Sequence, residues 1–238
     1  MLILKNKKPP YEKETLQNIL LSFINKHNTN ILVTLINNNI YQYTMPRDNK
    51  KSKRIILELL HNPKGDLTKY KIAKETQTNI SWVISFLRKL EKEKLTKGTK
   101  VKDYNKLIEF YIKLDKKPKT YEFLLQDPIK YLKQIKKQYL LTTYAAENFT
   151  SHHLFLSRYD IYIKKEDLNN WKKELFKKGL IGKGNLRLII PHDEYIFKYV
   201  EKRKGLNIVT MPLLMIDLKK EGGVCIQAYE YLMKHVHR

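Results

Sequence analysis

A helical repeat in residues 79–93 constrains the fold most, because one of its faces is apolar and the other carries no acid. At about 100° per residue, the apolar stripe consists of Ile80, Val83, Ile84, Leu87 and Leu90. The opposite face consists of Ser81, Trp82, Ser85, Arg88, Lys89 and Lys92. Exposed helix faces usually mix charges, because i,i+4 pairs of opposite sign are stabilising. This helix is therefore expected to pack on a core and to meet a polyanion.

The segments around this helix predict a winged helix-turn-helix. "SKRIILELLHN" and "TKYKIAKETQ" are two preceding helical runs, and the small Ala73 suits a crossing point between helices. Asp66 or Thr68 can cap the second helix, and Thr78 or Asn79 can cap the third. "KLTKGTKVK" then has the pattern of a strand, a glycine turn and a strand. In a winged helix-turn-helix the third helix enters the major groove and the hairpin contacts the backbone.

We expect residues 79–92 to form the recognition helix and residues 95–102 to form a basic wing. Hydroxyl groups near the helix start allow a close approach to base edges, while arginine and lysine reach guanine or phosphate. The candidate DNA-binding residues are Thr78, Asn79, Ser81, Trp82, Ser85, Arg88, Lys89, Lys92, Lys97, Lys100 and Lys102. The alternative to DNA contact for these arginine and lysine side chains is a basic face that is simply solvated. For Trp82 the alternative is a surface aromatic half-covered by an N-terminal hairpin.

Charge and composition favour a nucleic-acid partner. The chain has 47 Lys and Arg against 24 Asp and Glu, a formal charge of +23, and such a field attracts polyanions. A lysine enrichment inherited from an AT-rich genome is the alternative. The single cysteine, Cys225, excludes an internal disulfide and a cysteine-based zinc site. No apolar run approaches the roughly 18 residues of a membrane span, and "MLILKNKKPP" is too short in its apolar part for a signal peptide. We expect a cytoplasmic protein with no membrane partner.

The chain as a whole is expected to belong to the α+β class. Residues 1–49 predict an N-terminal extension of one helix and a β-hairpin, and residues 50–117 the winged helix-turn-helix domain. Residues 118–238 alternate helical and strand patterns, as in a small mixed α/β domain. In that part "YEFLLQDPIKYLKQIKK" is predicted to be helical, with a break before Pro128. "YDIYI", "LRLII" and "LNIVT" are predicted strands, and Gly179 a helix C-cap.

Several segments resemble known families. "YKIAKETQTNISWVISFLRKLEKEKLTKG" resembles the helix-turn-helix run of MarR-like winged helices, although Lys94-Leu95 stands where Gly-Leu is usual. "YLLTTYAAENF", "YDIYIKKEDL", "GNLRLIIPHDEYIF" and "LNIVTMPLLMIDLKKEGGVCIQAYEYL" look like successive segments of AbiEi-type proteins, the antitoxin and regulator family of type IV toxin–antitoxin systems. The resemblance covers roughly residues 55–235. It implies a winged-helix domain joined to an α/β domain, repression of promoters with inverted repeats, and a cognate toxin or a homodimer as further partners.

An enzymatic function is not expected, although the sequence contains two acidic groups. Asp160 and Glu166 flank Lys164, and Asp193 adjoins Glu194, but the order required for a nuclease metal site is absent. Asp193 is a better candidate for a helix cap. His152-His153 and the terminal histidines do not have metal-ligand spacing, and no phosphate-binding glycine loop occurs, so no cofactor or metal is expected. Two alternatives stay open: an antitoxin that acts by protein–protein contact, and a nucleic-acid-processing enzyme with its site in the C-terminal domain.

Overall fold

A computed structural model describes residues 49–236, apart from the side chains of 179–181 and 236, and these residues belong to one compact unit. The predicted N-terminal helix and hairpin lie outside the described residues. The predicted boundary between residues 117 and 118 stays a prediction.

The first part of the described chain contains four helices and a short hairpin. The elements are α1 (Lys50–His61), α2 (Lys69–Thr76), α3 (Ile80–Lys92), β1 (Thr96–Lys97), β2 (Lys100–Val101) and α4 (Tyr104–Leu114). The first three helices and the hairpin are where the sequence predicted them. Helix α4 was not predicted; Asp103 caps it by accepting a hydrogen bond from the Lys106 amide at 2.9 Å. Leu107 and Ile108 of α4 are fully buried beside the apolar side of α1.

The buried face of α3 is rotated from the predicted stripe. Val83, Leu87 and Leu90 are buried as expected, but Ile80 is 37% exposed. Phe86 is buried instead, and its ring centroid lies 6.3 Å from that of Phe110 on α4. The unpredicted helix α4 thus supplies the aromatic partner of Phe86.

The second part of the described chain is built on a mixed seven-stranded sheet. Its elements are β3 (Lys119–Leu125), α5 (Pro128–Gln134), β4 (Tyr139–Thr142), α6 (Thr143–Thr150), β5 (Tyr159–Ile163), α7 (Leu168–Lys178), β6 (Gly179–Ile181), β7 (Leu186–Ile190), a 3-10 helix (Glu194–Lys198), β8 (Glu201–Arg203), β9 (Leu206–Ile208), α8 (Met211–Glu221) and α9 (Val224–Val236). The strand order is β6-β3-β7-β5-β4-β9-β8, with β5/β7 and β4/β9 parallel and the other pairs antiparallel. The chain is therefore of the α+β class.

One prediction in this part was wrong. The first half of the helix predicted for "YEFLLQDPIKYLKQIKK" is strand β3, in which Phe123 and Leu125 are buried while Leu124 is 47% exposed. That period of two marks a strand, and β3 pairs with both β6 and β7. Helix α7 ends at Lys178, directly before Gly179, as the sequence predicted, and Gly179 is the first residue of β6.

Helix α8 joins the two parts. Its residues from Pro212 to Leu218 are all buried, as expected for a helix covered on every side. It packs against α1 and α4 from the first part and against α6 and α9 from the second. Among residues 49–236, no helix combines the length and the apolar character needed to cross a membrane.

Candidate nucleic-acid interface

The turn between α2 and α3 is held by local hydrogen bonds. Thr68 caps α2 by accepting from the Lys71 amide at 3.1 Å, and Asn79 caps α3 by accepting from the Ser81 amide at 2.8 Å. Gln77 adopts a left-handed conformation with φ 53°, and the Thr78 amide donates to Ala73 O at 2.9 Å. These bonds set the direction in which α3 leaves the turn.

The polar face of α3 is exposed as predicted. Asn79, Ser81, Ser85, Arg88, Lys89 and Lys92 are exposed, and Trp82 keeps 46% of its surface. Within residues 49–236 neither Arg88 nor Lys92 forms an ion pair. The Lys89 ammonium lies 5.3 Å from the ring centroid of Phe110, so this lysine leans toward α4.

Thr78 lies apart from this face. It is buried, and its hydroxyl donates to Thr76 O at 3.2 Å. Its role in the structure is to stabilise the turn, so the structure does not bring it together with the other ten candidates.

The hairpin presents lysines on one side. Lys97 and Lys100 are directly opposite each other in the antiparallel register and therefore point to the same face, and Lys102 follows, also exposed. Gly98 has φ +59° at the first loop position, as a two-residue turn of type II′ requires. Like charges placed opposite one another are unfavourable in the free protein, and a bound polyanion would relieve that repulsion.

The hairpin is fixed to the rest of the first part at three points. The Gly98 amide donates to Oε1 of Glu91 on α3, the Thr99 hydroxyl donates to Gly65 O at 3.0 Å, and the Val101 amide donates to Pro63 O at 2.9 Å. Glu91, the acid at the edge of the polar face of α3, is thus engaged with the turn of the hairpin. These three hydrogen bonds hold the hairpin, and with it the lysines, beside α3.

Helix α2 contributes exposed residues that the sequence interpretation missed. Lys69, Lys71 and Lys74 are exposed, and Tyr70 keeps 72% of its surface. The sequence signal is the helical spacing of Ile72, Ala73 and Thr76, the buried residues of α2, which leaves the three lysines and Tyr70 on the exposed side. We call the exposed faces of α2 and α3 together with the hairpin the basic surface.

Polar side chains of α1 are bonded to residues between Asp193 and Tyr199. Arg54 pairs with both carboxylate oxygens of Asp193 at 2.6 and 2.8 Å, and Asp193 also caps the 3-10 helix as predicted. Burial would raise the pKa of Asp193, but hydrogen bonds from Arg54 and the Tyr195 amide outweigh it and the pKa is lowered. Glu58, almost fully buried, accepts from the Tyr199 hydroxyl at 2.6 Å and from Lys198 Nζ at 3.1 Å.

His61 completes these contacts of α1. Its Nδ1 donates to Leu57 O at 2.7 Å, because a carbonyl can only accept, and the Thr210 hydroxyl donates to Nε2 at 2.8 Å. Burial lowers the pKa of His61, so the neutral ring is favoured.

The acidic residues considered for catalysis are separated by the fold. Asp160 is fully buried and accepts from Arg158, Arg187 and the Thr143 hydroxyl, whereas the Glu166 side chain is 74% exposed. Across residues 49–236, no three His, Cys, Asp or Glu side chains are grouped as a metal site would need. Asp160 therefore serves as the centre of an ion-pair cluster.

Comparison of the chain with protein-family models, with curated proteins and with solved structures gave no match. The chemistry of the side chains on the basic surface is the remaining basis for a function.

Proposed function

We propose that this protein is a sequence-specific DNA-binding regulator of transcription with a winged helix-turn-helix. In this proposal α3 enters the major groove, and the hairpin acts as the wing that holds flanking phosphates. The exposed start of α2, with Lys69 and Tyr70, lies against the sugar-phosphate backbone of the DNA.

One observation carries the proposal: the basic surface presents cations and hydroxyl groups together, with few acids. Lys97 and Lys100 face the same way on a hairpin that is hydrogen-bonded to α3, and neither forms an ion pair within the described chain. A solvated surface that served only solubility would be expected to mix charges. Double-stranded DNA carries one negative charge per about 1.7 Å and suits such a surface.

The roles of autorepressor and type IV antitoxin belong to the same proposal and rest on the resemblance of the C-terminal segments. A homodimer reading an inverted repeat and a cognate toxin are the partners proposed with them. The footprint and the stoichiometry on DNA from upstream of the gene would distinguish a dimer from single chains.

The experiment is a titration of the full chain onto DNA from upstream of its own gene and onto random DNA, at several salt concentrations. Specific binding should exceed random binding by about 10³ or more and should weaken steeply with salt. A ratio near one would leave only general charge attraction and would refute a sequence-specific regulator.

Arg88→Ala tests which part of the surface reads bases. If Arg88 contacts a base edge, its loss should cost about 1–3 kcal/mol at one base position and relax specificity there. Lys133→Ala is the matched control, because Lys133 is an exposed cation on α5, outside the basic surface. An equal and uniform loss in both variants would contradict base reading by Arg88.

A further inference from the structure

A cleft of about 640 Å³ lies where the segment after α4 meets the sheet. It is lined by Ile112, by residues 115–118 and by residues of β3, β4, α6, β5, β7 and α8. None of the candidate DNA-binding residues lines it. Its volume is within the range of small-molecule sites, about 300–1,000 Å³.

Five cationic side chains and three carboxylates line this cleft. Three of the cations already have partners. The Arg187 guanidinium is held by Asp160 and Glu221 at 2.8 Å each, and Lys219 Nζ lies 2.7 Å from Glu109. Lys220 pairs with Asp115.

The other two cations, Lys116 and Lys117, are exposed at the rim and form no ion pair with the described residues. Asp217, the third carboxylate, accepts hydrogen bonds from the Thr142 and Tyr162 hydroxyls at 2.6 and 2.8 Å. Burial raises the pKa of Asp217, which favours its neutral form. With five cations against three carboxylates in its lining, the cleft keeps an excess of positive charge whether or not Asp217 is ionised.

The backbone at the base of the cleft is strained. Thr143 has φ +47°, a conformation that is unfavourable for a β-branched residue, and its hydroxyl donates to Asp160. Strain of this kind is concentrated at ligand sites and persists only when the surroundings enforce it. The hydrogen bond from the Thr143 hydroxyl to the buried carboxylate of Asp160 is one contact compatible with this conformation.

We propose that this cleft binds a small organic phosphate of the size of a nucleoside monophosphate. Lysine ammonium groups are compact charges that suit phosphate, whereas bidentate recognition of a carboxylate favours an arginine fork. The one arginine in the lining, Arg187, has its guanidinium committed to Asp160 and Glu221. Ile112, Pro118 and Ile189 provide apolar surface for the organic part.

Calorimetric titration of the full chain, without DNA, tests this binding independently of the proposed regulator function. The probes are adenosine 5′-monophosphate, adenosine, inorganic phosphate and succinate. We expect saturable binding of adenosine 5′-monophosphate, weaker binding of inorganic phosphate, and none of adenosine or succinate. Absence of binding by both phosphate probes, or equal binding of succinate, would overturn the assignment.

Two double variants locate the site. The Lys116→Ala/Lys117→Ala variant should bind adenosine 5′-monophosphate about tenfold or more weakly, because hydrogen bonds to charged groups contribute to affinity on that scale. Lys133→Ala/Lys136→Ala removes the same charge from exposed positions outside the cleft and should leave binding unchanged. Equal weakening in both variants would indicate general charge attraction and would refute the cleft as the site.

Discussion

The double variant Lys97→Ala/Lys100→Ala separates a DNA-binding role of the hairpin from a structural one. Both lysines are exposed, lie on one face of the hairpin and form no ion pair within residues 49–236. If each neutralises one phosphate, the slope of log K against log salt should fall in magnitude by about 0.9 per lysine, or about 1.8 for both. If the variant and the unsubstituted protein bind equally at 1 M salt, the variant should bind about 60-fold more weakly at 0.1 M.

The same variant should not destabilise the fold. Because Lys97 and Lys100 repel each other across the hairpin, their removal should change the free energy of unfolding by no more than a few tenths of a kcal/mol, in the stabilising direction. Fluorescence anisotropy with labelled DNA at four salt concentrations measures the slope, and denaturant unfolding measures the stability. Lys133→Ala/Lys136→Ala is the control. An unchanged slope, or an equal decrease in the control, would refute phosphate contacts by the hairpin.

Three further outcomes are expected. Of the two tryptophans, Trp82 is exposed and Trp171 is fully buried, so acrylamide should quench mainly the fluorescence of Trp82. Specific DNA should protect Trp82 from quenching. Unchanged quenching would place Trp82 outside the interface. Lys94→Gly should stabilise the protein by roughly 1 kcal/mol in denaturant unfolding, because Lys94 has φ 58° at the end of α3; a loss of stability would contradict this. The pKa of His61 is lower in the folded than in the unfolded protein. Its contribution to the free energy of unfolding is therefore complete above about pH 6.5 and is lost as the pH falls toward the folded pKa. Between pH 7 and 5, the His61→Gln variant should lose less unfolding free energy than the unsubstituted protein. An equal loss in both proteins would exclude His61 as the source of the pH dependence.

The sequence predicted the elements whose signals are local. Ile55, Ile56, Leu59 and Leu60 recur at helical spacing, and all four are buried in α1. The caps of α2 and α3 were likewise predictable, since a capping side chain bonds to amides two or three residues away. Lys94-Leu95 also ends α3 without the usual glycine: the Leu95 amide donates to Leu90 O and the Lys94 amide to Glu91 O, both at 2.9 Å.

Elements decided by distant partners were missed. "YEFLL" fits a helical or a strand pattern, and only its pairing with β7, some 65 residues later, makes it a strand. The pairing of Arg54 with Asp193, 139 residues apart, leaves no local pattern in the sequence. For the candidate site, exposure along α3 was predictable, whereas the burial of Thr78 depended on the geometry of the turn.

Helix α1 is bonded to both parts of the described chain, and this limits how the chain can be cut. Its apolar side packs in the first part, while Arg54, Glu58 and His61 bond to residues between 193 and 210. A fragment ending near residue 117 would expose the arginine and leave the carboxylate and the imidazole without their partners. We therefore do not expect α2 and α3, the helices proposed to bind DNA, to fold when grafted onto another protein. We expect them to unfold together with the sheet, in one cooperative transition.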